Sequence, residues 1–151
     1  MSARMLNLLT VAFACMVLLY VTHFGGMPER VISSILAATY LTDSVYHLAI
    51  SEENFRNVDL GHFLFDFLVL GGMIWVGLRA NRVWPLCISA LQLVPIMGHI
   101  SMIIGLPGLV GVYWLMTVAV NLPILMILLV GTIAHQRRVR RIGSYADWSI
   151  R

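Results

Sequence analysis

Five apolar stretches, each close to the ~20 residues an α-helix needs to cross a ~30 Å hydrocarbon layer, take up almost the whole chain. They cover about 5–24, 30–50, 60–78, 83–104 and 109–134. Strands of a membrane barrel need only ~9–11 alternating residues, so stretches of this length predict helices. The chain has 151 residues, of which 60% are apolar and 11% charged. Soluble domains carry about 25% charged residues. With so little polar surface, a domain of this size needs lipid rather than water around it. The expected fold is an all-α integral membrane protein, a bundle of about five transmembrane helices, or four if the first span is cleaved as a signal segment.

Breaks between the spans have ordinary turn chemistry. Gly25-Gly26-Met27-Pro28 ends the first, and Pro28 suits the first turn of the next helix, where its missing N–H costs nothing. A polar loop, 51–59, precedes the third span, with Asp59 as its expected N-cap. Arg79-Ala80-Asn81-Arg82 and Gly105-Leu106-Pro107-Gly108 make the remaining turns. Pro95 and Pro123 are expected to kink the fourth and fifth spans. Residues 1–136 then form the bundle and 137–151 a basic interfacial tail.

Arginine placement gives the orientation. With the C-terminus in the cytoplasm and the N-terminus outside, eight of the ten basic residues are cytoplasmic, and only Arg4 and Arg56 are not. Arg137, Arg138, Arg140 and Arg141 are expected at the inner membrane surface, where anionic lipid attracts each by ~1 kcal/mol. Arginines at helix ends are not a nucleic-acid footprint. The expected partners are the bilayer, anionic lipid, and a membrane protein or second copy of the chain. Cys15 and Cys87 sit in apolar runs without CxxC spacing and read as buried, inert thiols.

Chemistry concentrates in a few polar residues inside the spans. An ionisable group deep in a transmembrane helix costs at least ~2.5–3.5 kcal/mol, so it faces protein and has a partner. Asp43 and His47 flank the external loop on one side, His62 and Asp66 on the other, each pair at i, i+4 on one helical face. Mirror symmetry about the loop pairs His47 with His62 and Asp43 with Asp66 in depth. Gln92 and His99 on the fourth span, and Tyr113 and Asn121 on the fifth, extend the polar cluster across the bundle axis.

No Gly-rich phosphate loop, GxSxG or HExxH is present. The leading expectation is therefore a non-enzymatic membrane component, either a bundle that binds a small ligand or ion or an accessory subunit of a membrane complex. A zinc-dependent membrane hydrolase is the alternative, with His47, His62 and His99 as ligands and Asp43 or Asp66 as carboxylate. Haem b held by His62 and His99, or a proton relay through the paired aspartates, is the third reading.

Overall fold

A computed structural model describes residues 3–50, 60–104 and 110–149. Its elements are α1 (Ala3–Phe24), α2 (Met27–Ile50), α3 (Leu60–Arg79), α4 (Trp84–Ile103) and α5 (Val110–Trp114). A π-helical stretch, Leu115–Ala119, joins α5 to α6 (Asn121–Ile142). The described residues form no strand, and the architecture is a helical bundle. Three helical segments, Leu60–Arg79, Trp84–Ile103 and Gly111–Ile142, are long and apolar enough to cross a membrane, and Leu9–Phe24 is a shorter apolar helix. They point to a membrane protein. α2 carries Glu29, Arg30 and Asp43 and is not among them.

Side-chain volume on the inner faces builds one continuous core. Val21 of α1, Ile32 of α2, Met73 and Val76 of α3, Ile88 of α4 and Ile124 and Leu128 of α6 have essentially no exposed surface. Gly131 faces the Trp84 ring, and a Cβ there would come within 2.8 Å of it, so this residue sets how closely α4 and α6 approach. Large apolar side chains also cover the outside of the bundle, among them Leu19, Leu41, Leu68 and Val130. An apolar exterior over an apolar interior is what lipid-solvated helices present.

The expected turns at 51–59 and 105–108 lie outside the described residues, and the other two fall where the sequence puts them. The α1–α2 break occupies Gly25 and Gly26 alone, and Pro28 lies in the first turn of α2 as expected. A Cβ on Gly25 would lie 2.6 Å from both Glu29 Cβ and Val21 O, so only glycine fits this tight a turn. Pro123 is the third residue of α6, where its missing N–H falls among groups that have no intrahelical partner. It therefore marks a helix start, directly after the π-helical stretch. Pro95 lies inside α4, which continues through it to Ile103.

α6 carries the arginine run out of the bundle as far as Ile142, and Gly143, with φ 78°, reverses the chain. The segment beyond folds back under the bundle. Asn81 N donates to Asp147 O at 3.0 Å and Ser149 N to Arg79 O at 2.7 Å, so the segment pairs antiparallel with the α3–α4 turn. Trp148 meets Trp75 edge-on, with ring centroids 5.8 Å apart. Tyr145 is covered by the guanidinium of Arg138, 4.3 Å from its ring centroid.

Candidate functional site

Two polar clusters lie at opposite ends of the apolar core. At the end away from the arginine run, His99 on α4 is the centre of the first. Its residue surface is 1% exposed, and both ring nitrogens are engaged. The Nε2–H donates to Asp66 Oδ2 at 3.1 Å, and Nδ1 accepts from the Tyr113 hydroxyl at 2.8 Å. Gln92 donates from Nε2 to the other Asp66 oxygen at 3.0 Å. Both carboxylate oxygens of Asp66 are thus held by α4, and α5 is tied in through Tyr113. Phe63 packs edge-on against His99, with ring centroids 5.6 Å apart.

Asp43 belongs to a separate pair. His62 Nε2 donates to Asp43 Oδ1 at 2.8 Å, and the Tyr46 ring stacks edge-on against His62 at 5.1 Å. The depth pairing expected from mirror symmetry about the loop is therefore shifted. Ile35 packs against Gly72 and Tyr46 against Gly61, a register that sets Asp43 level with Leu64, between His62 and Asp66. From there the carboxylate turns to the imidazole, a hydrogen-bond donor, rather than to a second carboxylate. Asp66 faces the other way, towards α4.

Asn121 does not join either pair. Its amide donates to the carbonyls of Thr117 and Val118, at 3.4 and 3.1 Å, and so serves groups freed by the π-helical stretch. Thr117 likewise bonds back to Tyr113 O at 2.9 Å. The His47 side chain lies outside the described residues, as does Asp59. Among the described residues, no three His, Cys, Asp or Glu side chains meet as a metal-holding group. The ligand set expected for zinc is in this respect divided, with His62 and His99 each bound to a different aspartate.

The second cluster, at the basic end, was not expected from the sequence. Arg82, 5% exposed at its side chain, forms ion pairs with Glu29 of α2 and with Asp147 of the returning segment. Glu29 is completely buried. Arg82 also donates from Nη2 to His135 Nδ1 at 2.9 Å, and the Tyr145 hydroxyl lies 2.8 Å from the same nitrogen. With Nδ1 accepting, the neutral ring carries its proton on Nε2. Asp147 completes the arrangement by accepting the Met27 N–H at 3.0 Å. Gly26 is fitted to this site: a Cβ there would lie 2.6 Å from Asp147 Oδ1 and 2.8 Å from Arg82 Nη2.

The layer between the two clusters is apolar. Ile32, Met73, Ile88, Ile124, Leu125 and Leu128 are at most 2% exposed, and Ser89 and Thr132 spend their hydroxyls on carbonyls of their own helices. Comparison with protein-family models, curated proteins and solved structures gives no match. Chemistry for this chain therefore has to be argued from its own residues.

Proposed function

We propose that the chain is a five-span membrane protein, with its basic end in the cytoplasm, that acts without catalysis as an accessory component of a membrane assembly. On this reading α2 is the fifth span, and Asp43, although polar, is accommodated because His62 partners it. The Arg-rich helix ends favour the stated orientation. The observation that carries the non-catalytic reading is the saturation of His99. Asp66 and Tyr113 occupy both ring nitrogens inside a nearly closed site, which fixes the register of α3, α4 and α5. Hydrogen bonds of this kind are worth ~0.6 kcal/mol each on average in membranes, so they contribute specificity more than stability.

A groove of about 350 Å³ between α2 and α3 adds to this reading. Ala38, Thr42 and Gly72 keep its walls low, as small residues do where another helix or an acyl chain packs closely. A metal-dependent hydrolase using His47, His62 and His99 is the alternative. It would need both Asp–His pairs to open and converge. Haem b between His62 and His99 would need both imidazoles to leave their carboxylates.

Proton movement is favoured by one feature, the continuous Asp66–His99–Tyr113 chain. The apolar layer below it argues for exchange confined to the outer half rather than passage across the bundle. Metal analysis and an absorption spectrum of the detergent-purified protein test these readings together. A colourless, metal-free protein whose thermal midpoint falls on His99→Gln is the expected result. Near-stoichiometric zinc that disappears with His62→Gln or His99→Gln would overturn the proposal in favour of the hydrolase. A Soret band lost with either substitution would do so in favour of haem.

A further inference from the structure

A cavity of about 420 Å³ opens at the basic end, between the last turns of α1 and α6. Its walls are Tyr20 and Phe24 from α1 and His135, Gln136, Val139 and Arg140 from α6. Among the described residues no carboxylate lines it, although Glu29 and Asp147 lie at the same end of the bundle, where Arg82 engages both. The lining is rich in donors and poor in acceptors. Gln136 Oε1 accepts the Tyr20 hydroxyl at 3.1 Å, which leaves the Gln136 amide nitrogen buried with no acceptor among the described residues. Leaving such a group unsatisfied is unfavourable, and an acceptor entering the cavity would remove that cost. Turning the soft terminal amide torsion presents the N–H to it, in exchange for the Tyr20 hydrogen bond.

Arg140 is one helical turn beyond Gln136 on the same face, and its exposed guanidinium is the charge at the mouth. Tyr20, Phe24 and Val139 supply apolar surface beside these donors. The cavity also sits where the apolar part of α6 gives way to the His135–Arg141 run, the level at which lipid phosphates lie if the helices span a bilayer. An oxyanion attached to an apolar body fits such a lining; a cation or a neutral polar molecule does not.

We infer that this cavity is a binding site for the phosphate of an anionic phospholipid from the cytoplasmic leaflet, held by the Gln136 amide and the Arg140 guanidinium against the Tyr20 and Phe24 rings. The inference rests on the membrane-spanning reading above and adds a defined site to the general attraction of the arginine run. Surface attraction and a built site differ in one respect. The first depends on charge alone, whereas the second depends on Gln136, which has none.

The test is lipid binding by native mass spectrometry and thermal stabilisation on the full chain in mixed micelles, with phosphatidylglycerol, phosphatidylcholine or inorganic phosphate as probe. Phosphatidylglycerol is expected to bind and raise the thermal midpoint more than phosphatidylcholine. Gln136→Leu is expected to weaken that binding about tenfold, the loss of one hydrogen bond to a charged group. Val139→Trp fills the cavity while keeping every donor, and is expected to abolish the same effect. It covers the case in which Gln136→Leu disturbs the fold, which the midpoint in phosphatidylcholine would report. Equal binding by wild type, Gln136→Leu and Val139→Trp would overturn the site and leave only surface charge. Stabilisation by inorganic phosphate equal to that by the lipid would overturn the lipid assignment in favour of a soluble anion. Recovery of the chain as a soluble species without detergent would instead overturn the membrane reading beneath it.

Discussion

Asp147 caps α2 from 120 residues away, its Oδ2 accepting the Met27 N–H while its Oδ1 pairs with Arg82. One carboxylate thereby joins the returning C-terminal segment, the start of α2 and the α3–α4 turn. Four backbone N–H groups at a helix start have no intrahelical partner, and an acidic side chain there also meets the positive end of the helix dipole.

Replacing Asp147 with alanine removes both contacts. The loss of the cap alone is expected to cost about 1 kcal/mol. Amide hydrogen exchange should quicken at residues 27–30 and in the paired segments 79–81 and 147–149, while α4 and α5 remain protected. Unchanged exchange at 27–30 would show that the cap carries no stability.

Arg82→Gln is expected to be more damaging. It leaves Glu29 buried without a cation, and breaking a buried ion pair from one side costs roughly 3–5 kcal/mol. Glu29→Gln in the Arg82→Gln background should restore part of the loss, because no unpaired charge is then buried. Thermal midpoints of the two single variants and the double variant in one detergent measure the coupling. Strict additivity would mean that the pair acts only as packing.

Gly26→Ala tests the close approach that this cluster needs. A methyl group there meets Asp147 Oδ1 and Arg82 Nη2 at distances that real Cβ atoms do not tolerate. The expected loss is about 1–3 kcal/mol, the range for overpacking. It should largely vanish when Asp147→Ala is already present. A full loss in both backgrounds would place the constraint in the backbone turn instead.

At the other end, Asp66→Asn and His99→Gln should each destabilise by about 1–3 kcal/mol, because each strands a polar partner in a closed site. The double variant should lose less than the two single losses combined. Combined losses that simply add would mean the pair is not coupled.

Cys15 and Cys87, expected to be buried, are both exposed on helix surfaces, and Cys15 lies in the middle of the apolar run of α1. If the bundle spans a bilayer, a membrane-impermeant maleimide should leave Cys15 unlabelled in intact vesicles of a Cys87→Ala variant and label it after denaturation. Labelling in sealed vesicles without denaturant would count against burial of α1 in lipid.

The helical elements were legible because span length and turn chemistry are local properties. Apolar runs bounded by Gly25-Gly26, by 79–82 and by 105–108 leave few alternatives to helices. The Asp66–His99–Tyr113 association was legible for a related reason, since polar residues in apolar helices must share an interior. The register of α2 on α3 was not, because it depends on where Gly61 and Gly72 receive Tyr46 and Ile35, a matter of side-chain shape rather than pattern. Nor was the role of Asn121, which follows from carbonyls freed by a π-helical stretch that periodicity does not announce. The basic-end cluster escaped because Glu29, Arg82 and Asp147 lie far apart in the chain, in the first turn of α2, in the α3–α4 turn and in the segment beyond α6, where a charge reads as solvated. The fold-back at Gly143 is what adds Asp147 to the Glu29–Arg82 pair.

The long reach of Asp147 has a consequence for biosynthesis. Helices emerge from the ribosome in order, and α2 starts at Met27, long before its cap exists. Until residue 147 has been made, Arg82 has Glu29 and then His135 to meet but no second carboxylate, and the α2 terminus is uncapped. The end of the bundle opposite the arginine run, where α2 to α5 carry the two Asp–His pairs, is complete in principle before that moment. Assembly at the basic end is therefore deferred to a late step, one that a nascent chain stalled before residue 147 could not take.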